Sequence, residues 1–417
     1  MKQVSLIIIG AGDRGQVYAG YAKKYSDLVR IIGVAEPRDY YRRKLAEEHD
    51  IPSENVLKDW KSIVERERFA DAAIVATPDS LHAEPAIALA SKGYHLLLEK
   101  PMAPDEESCR RIVKAARESE IIFSVGHVLR YTKYTQKLKN LIDNSVIGEV
   151  VSIQHLEPVG YWHQAHSFVR GNWRREDQSS FMLLAKSCHD IDWIRYIMGK
   201  RCTSVSSFGS LVHFRKENMP PTAGSNCLHC DYEPECPYSA KKIYFGFFSR
   251  GIKDWPVNVV TPEPSEETLT EAILTGPYGR CVYRCDNDVV DQQVVNMEFE
   301  GGATASFSMM AFTKARHRET RIFGTRGEIY GDGVRIHVTD FLTDETTTYD
   351  TATNASVLEG HGGGDYWIMH SFIDAVKTGD PSLILSGPAE TLETHLMTFA
   401  AEKSRREKRT VFMSDYF

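Results

Sequence analysis

The sequence predicts an α/β protein in which a doubly wound parallel sheet opens the chain and a second, mainly antiparallel sheet follows it. Three observations carry that prediction. Residues 4–15, VSLIIIGAGDRG, run from an apolar strand straight into three glycines spaced G-x-G-x-x-G. Strand and helix patterns then alternate with short links to about residue 125, the signature of parallel strands joined by crossover helices. From about residue 130 the alternation stops, and apolar-polar strands separated by glycine turns take over.

Val4, Leu6, Ile7, Ile8 and Ile9 are β-formers apolar on both faces, as a parallel strand covered by helices on each side requires. Gly10 permits the turn, Gly12 admits a pyrophosphate to the backbone, and Gly15 allows close packing of the helix that starts there, with Asp13 and Arg14 between them. The N–H groups of that helix start are suited to phosphates. A second apolar run over 29–35 ends in Glu36, 24 residues after Gly12. An acid there accepts hydrogen bonds from ribose hydroxyls and repels a 2′-phosphate, so NAD is the expected cofactor; Arg38 nearby leaves NADP open. Further strands over 71–77 and 94–98 end at Thr77-Pro78 and Glu99-Lys100-Pro101, with a helix over 81–92 between them. Gly12, Glu36, Thr77 and Lys100 thus all fall at strand carboxyl ends, where one crevice can collect them. A helix over 105–118 and a strand over 121–125 complete a first domain, placed at 1–128.

The remainder, 129–417, reads as a second domain. Strands over 150–156, 294–299, 303–310 and 319–323 are separated by turns such as Glu300-Gly301-Gly302, and helices over 365–376 and 388–408 close the chain. The chain has 417 residues, 42% hydrophobic and 26% charged, with a net charge of −7 and no long basic run. That composition is globular and argues against an extended nucleic-acid surface. No stretch approaches the length of a membrane span, and no leader pattern precedes the first strand, so a cytoplasmic protein is expected.

The glycine turn, Thr77-Pro78 with His82, Glu99-Lys100-Pro101 and the later Cys188-His189-Asp190-Ile191-Asp192 together resemble the Gfo/Idh/MocA oxidoreductase family over nearly the whole chain. The resemblance implies a Rossmann domain followed by an α/β domain whose open sheet makes a homodimer or homotetramer. It also implies NAD(P)-dependent oxidation or reduction of a sugar, cyclitol or related polyol, with Lys100 and His189 at the reacting carbon.

The chemistry of those residues fits. Oxidising a secondary alcohol requires a group that accepts the hydroxyl proton and a cation that stabilises the developing alkoxide. Lys100 suits the second task and His189 the first. His189 lies in 180–198, whose apolar stripe Leu184, Cys188, Ile191, Ile194 and Met198 predicts one continuous helix with Lys186 and Trp193 on the face of His189. The family often carries an aspartate four residues before this histidine; here that position is Ala185, followed by Lys186. Lys186 then either depresses the basicity of His189 or contacts substrate directly, and Asp190 and Asp192 read as salt-bridge or capping groups.

Residues 213–238 form a cysteine-rich insert with Cys227-x-x-Cys230 and Cys236. That spacing predicts a structural zinc site, its fourth ligand His213 or, second, His229. A cluster of aromatic and polar residues, Tyr161, Trp162, His163, His166, Trp173 and Arg174, fits a carbohydrate ligand, with Arg130, Tyr131 and His361 as further substrate candidates. Two rival functions remain: a redox-neutral enzyme that cleaves a glycoside by way of bound NAD, and a dinucleotide-binding sensor that has lost catalysis, the latter motivated by Ala185.

Overall fold

The computed structural model describes residues 3–352 and 362–416. Six strands form the first sheet: β1 (Val4–Ile9), β2 (Val29–Ala35), β3 (Val56–Leu57), β4 (Ala72–Val75), β5 (His95–Leu98) and β6 (Phe123–Val125). Their order is β3-β2-β1-β4-β5-β6, and every neighbouring pair is parallel. The order reverses between β1 and β4, so the chain leaves those two strands in opposite directions and opens a crevice beyond their carboxyl ends.

The apolar run of β1 is explained by what lies on its two sides. Leu6 and Ile8 join a core with Tyr18 and Tyr21, whereas Ile7 and Ile9 join another with Leu89 and Ile112. Both faces of the strand are dry, so polar alternation has no place in it. The helix Gly364–Thr378 also reaches the first of these cores through Ile368, Phe372 and Ile373. A segment far along the chain therefore closes one face of the first sheet.

The second sheet has nine strands: β7 (Val150–Pro158), β8 (Cys202–Ser210), β9 (Gln292–Phe299), β10 (Thr304–Met310), β11 (Glu319–Gly324), β12 (Gly327–Gly331), β13 (Arg335–Asp340), β14 (Glu345–Asp350) and β15 (Val411–Phe412). They are ordered β14-β13-β12-β11-β7-β10-β9-β8-β15. Only β7 and β10 run parallel, so the sheet is mainly antiparallel, as the turn signals require. The terminal helix Pro388–Glu407 supplies Leu396, Met397 and Ala400 to the core of this sheet, while its Leu392 and Phe399 also pack against the first. Among the described residues no helix is long and apolar enough to cross a membrane.

One sequence expectation is corrected here. Residues 180–198 are not a single helix but two, Met182–Ala185 and Cys188–Met198, interrupted at Lys186 and Ser187. The apolar stripe continues across the break because both pieces bury the same side, and periodicity alone does not register the interruption. The break frees a backbone carbonyl, that of Ala185, for another donor.

Candidate functional site

The glycine turn is shaped as a phosphate cradle. Gly10 has φ +89°, and a Cβ there would stand 2.6 Å from the carbonyl oxygen of Ala76, so only glycine fits. At Gly15 a Cβ would meet the Gly10 carbonyl oxygen at 2.0 Å. Gly12 differs, because a Cβ there meets only the Arg38 guanidinium, at 3.2 Å, and its open side is free for a ligand to approach. The helix Asp13–Lys24 that follows has no side-chain cap at Gly12, which leaves N–H groups of its first turn for an anion. Glu36 at the end of β2 is 2% exposed and accepts hydrogen bonds from the N–H of Ala11 and from the Arg38 side chain, each at 2.8–2.9 Å. Burial opposes its ionisation, but the Arg38 and Ala11 donors outweigh that and hold its pKa below the usual carboxylate value. These residues fit an adenine dinucleotide: an uncapped helix start, a glycine with open space, and an ionised carboxylate beside them.

Lys100, just beyond β5, projects toward the second domain. Its Nζ donates to the carbonyl oxygen of Ala185 at 2.8 Å, the acceptor exposed by the helix break. The helix Cys188–Met198 starts three residues later and carries buried His189 in its first turn. The ring of His127, just past β6, meets that of His189 edge-on at 5.7 Å and that of His395 at 5.6 Å. The two domains therefore meet where Lys100, Ala185, His127 and His189 come together. Ala185 takes part through its backbone, which no side-chain pattern reveals.

A network of charges adjoins this point. The Nζ of Lys186 lies 3.3 Å from Glu157 Oε1, and Arg318 pairs with Glu157 Oε2 at 2.8 Å and Asp190 Oδ1 at 2.5 Å. His155 packs against Trp193 and shares Asp190 at 3.2 Å. Burial lowers the pKa of Lys186; Glu157 opposes this, while Arg318 and Lys100 add to it. His163 feels the same cations. Burial first, then Lys186, His166, Lys100 and Arg318, push its pKa well below the ordinary value. Asp190, by contrast, is held far below the carboxylate range against its burial by Arg318 and His155. Asp190 is thus a salt-bridge residue. Sequence reading missed Glu157, Arg318 and His127; no motif marks them, and only the folding of β7, the segment before β11 and the loop after β6 onto the helix of His189 brings them here.

Several predicted site residues are taken up in contacts of their own. Arg130 is buried and forms a two-pronged pair with Asp192 at 2.7 Å, with Nη1 donating to the Leu385 carbonyl, so its guanidinium is committed to tying the segment after β6 to the helix of His189 and to the segment before the terminal helix. Tyr131 is likewise occupied, by Ser386 and the Leu385 N–H. Arg14 is drawn into pairs with Glu99 and Asp365, both at 2.6 Å, and Glu99 also accepts from Tyr18 and the Lys100 N–H. His82 sets its two ring nitrogens against the carbonyls of Pro101 and Thr77, at 2.7 and 2.8 Å, bracing those loops. Thr77 and Pro78 stay partly exposed beyond β4. Arg174 pairs with Asp286, His166 bonds Tyr244, Trp173 packs on Phe168, and Trp162 packs on Phe247 and Trp255; Tyr161 remains exposed. His361 lies outside the described residues.

The expected zinc site is corrected. Cys227, Cys230 and Cys236 do share the wall of one small cavity with Cys281 and Arg170, but His213 is not part of that wall. Its Nε2 faces the hydroxyl of Tyr283 at 3.1 Å, and the ring sits among Phe214, Tyr238 and Phe312. The positive charge beside Cys227 Sγ, at 3.4 Å, is the guanidinium of Arg170. Among the described residues no group of three or more His, Cys, Asp or Glu side chains is arranged to hold a metal ion.

Comparison with known proteins places this geometry in context. Residues 4–127 match the model of an oxidoreductase family with an NAD-binding Rossmann fold, and residues 139–413 match the model of that family's C-terminal alpha/beta domain. A 2,7-anhydro-N-acetylneuraminate hydratase of Mediterraneibacter gnavus is 31% identical over 217 residues, which is 52% of this chain and 55% of the relative. The chain thus spans about half the length of that curated relative. A myo-inositol 2-dehydrogenase of Thermotoga maritima is 23% identical over 411 residues, 98% of each chain. Among solved structures, a levoglucosan dehydrogenase in complex with NADH and levoglucosan superposes with a TM-score of 0.69 at 19% identity over 99% of each chain. These structural likenesses establish the fold.

Proposed function

The chain belongs to the Gfo/Idh/MocA oxidoreductase family, and from that premise we propose that it is an NAD(P)-dependent dehydrogenase acting on a CH–OH group of a sugar, cyclitol or related polyol. When bound, the nicotinamide cofactor supplies the hydride acceptor or donor. The chain's own residues do the rest. Gly10, Gly12, Gly15 and the start of the helix Asp13–Lys24 receive the pyrophosphate, and Glu36 with Arg38 receives the adenosine ribose. Lys100 stabilises negative charge on the reacting oxygen, and His189 takes or returns its proton.

The observation that carries this reading is the bond from Lys100 Nζ to the Ala185 carbonyl, which ties the strand end above the cofactor crevice to the segment leading into the His189 helix. The names of the relatives, a myo-inositol dehydrogenase and a levoglucosan dehydrogenase, support a polyol substrate. Glu36 favours NAD, while Arg38 at its side gives NADP a counter-charge. Exposed Val151, Phe208, Tyr330 and Phe412 on four strands of the second sheet support self-association through that face.

The test is NADH or NADPH formation at the nicotinamide absorbance with a panel of sugars, inositols and anhydrosugars. Stoichiometric reduced cofactor is the expected result. A second reading, prompted by the hydratase relative, is redox-neutral chemistry, which gives product with no net reduced cofactor. Cofactor binding with complete inactivity across the panel favours the sensor.

A further inference from the structure

Beside Lys100 lies a charge network whose cations, Lys186 and Arg318, are more exposed than the carboxylates they pair with. Lys100, Lys186 and Arg318 all act on His163, and the carboxylates in contact with them are Glu157 and Asp190. Of the other acids nearby, Glu99 pairs with Arg14, Asp192 with Arg130, and Asp79 accepts from the Ser179 and Ser180 hydroxyls. What the network exposes is also one-sided. The Glu157 and Asp190 side chains are 5% and 0% exposed, whereas those of Lys186 and Arg318 are 19% and 22% exposed. The carboxylates lie behind, committed to the cations and to His155. A site for a neutral sugar presents carboxylates as acceptors for hydroxyl hydrogens; here donors are presented.

We propose that the substrate of this site is an anionic sugar or polyol, one that carries a carboxylate, and that Lys186 together with Arg318 binds that carboxylate. The proposal rests on the dehydrogenase reading and adds the class of substrate to it. Lys186 and Arg318 together balance Glu157 and Asp190 in charge, yet they keep N–H donors outside those pairs, and a substrate carboxylate can accept from them. Arg318 uses Nε and Nη2 in its pairs with Asp190 and Glu157, which leaves Nη1 out of them. The Lys186 ammonium has three donors and a single carboxylate neighbour, which it shares with Arg318. Holding a non-reacting carboxylate at these two residues fixes the substrate's orientation, so that the reacting hydroxyl is presented to Lys100 and His189 with little freedom left to lose. Lys186 is then a specificity-determining residue, and its place next to Ala185, at the helix break, puts it beside the acceptor of Lys100.

The test uses NAD-saturated protein titrated calorimetrically with two matched pairs of probes, D-glucuronate against D-glucose and D-galacturonate against D-galactose. At least one acid binds about 10-fold or more tightly than its neutral partner, the size expected of charge-assisted hydrogen bonds. That preference falls about 10-fold in Lys186→Met and returns to within about 3-fold of the parent in Lys186→Arg, which also serves as the folding control. Neutral partners that bind as well as the acids in both pairs overturn the proposal. So does a preference that survives Lys186→Met, or binding of no probe at all. A parallel NAD titration separates the failures. Bound NAD with rejected acids removes only the anionic substrate, and absent NAD binding removes the dehydrogenase reading with it.

Discussion

Two groups of buried ion pairs flank the junction between the sheets, and they are built on opposite plans. In the first, each cation is committed to carboxylates of its own: Arg14 to Glu99 and Asp365, and Arg130 to both oxygens of Asp192. In the second, Lys186 and Arg318 share Glu157, Arg318 also takes Asp190, and the Lys100 Nζ donates to a backbone carbonyl. The first group is closed and links distant segments. The second is open, with Lys100 outside its ion pairs and N–H donors of Lys186 and Arg318 to spare. A closed network resists removal of one member because the survivor is left charged and dry, whereas an open network holds charge in reserve for a ligand. The difference separates residues that maintain the junction from those that work in it.

The comparison is broken most decisively at the open group. Lys100→Met and His189→Ala each lower kcat by about 10²- to 10⁴-fold, the range for losing a general acid-base or an electrostatic stabiliser. Initial rates against the panel of polyols measure this, and a variant retaining the parental rate removes its residue from the chemistry. At the closed group the expected effect is on folding. Arg130→Ala leaves Asp192 buried beside His127 and costs about 3–5 kcal/mol of stability. Urea unfolding reads it, and an unchanged midpoint shows that the pair is dispensable.

How much of this was legible in the sequence follows the same division. Gly10, Gly12, Gly15, Glu36, Lys100 and His189 stand out as candidates because each sits at a fixed place relative to a strand or in a short motif. The alternating strands gave the parallel sheet, and β1 was plain because both its faces are dry. The ion pairs of Arg130 and Arg14 were not legible because their partners, Asp192 and Asp365, lie 62 and 351 residues away, and nothing local announces a pair. The break at Lys186 was hidden by a stripe that continues through it. Strand β14, ETTTYD, is almost wholly exposed, so it has no apolar alternation to detect. His213 was chosen by proximity in sequence to the cysteines, and the aromatic packing that holds it elsewhere is tertiary.

Acid sharpens the contrast from another side. Burial pushes the pKa of His127 down to about 3, of His166 to about 3 and of His395 to about 4. The unfolded chain takes up these protons near pH 6.5, whereas the native one refuses them until about 3–4, so in that window the unfolded state binds more protons. Stability is therefore lost as the pH falls below about 6.5, by about 2 kcal/mol per histidine at pH 5. Melting temperatures at pH 7, 6 and 5 check the direction; a protein equally stable at all three contradicts it.

The smallest expected effect separates filled from open space at the glycine turn. Gly12→Ala retains the fold, since its new methyl meets only the end of the Arg38 side chain, but weakens NAD binding by about 10-fold, because a methyl stands where the pyrophosphate approaches. Gly10→Ala, forced to a positive φ against the Ala76 carbonyl, loses stability instead. Equal NAD affinity for parent and Gly12→Ala places the phosphates elsewhere.

The central claim is that Lys100, just beyond β5, and His189, on the helix Cys188–Met198, act at one reacting carbon beside the dinucleotide crevice. The most direct test is a single-turnover measurement of reduced cofactor formed by the parent and by the two single variants and the double variant, with any polyol the parent oxidises. Should the residues work as one unit, the double variant is scarcely slower than the slower single variant. Losses that multiply independently, or a double variant as fast as the parent, contradict it.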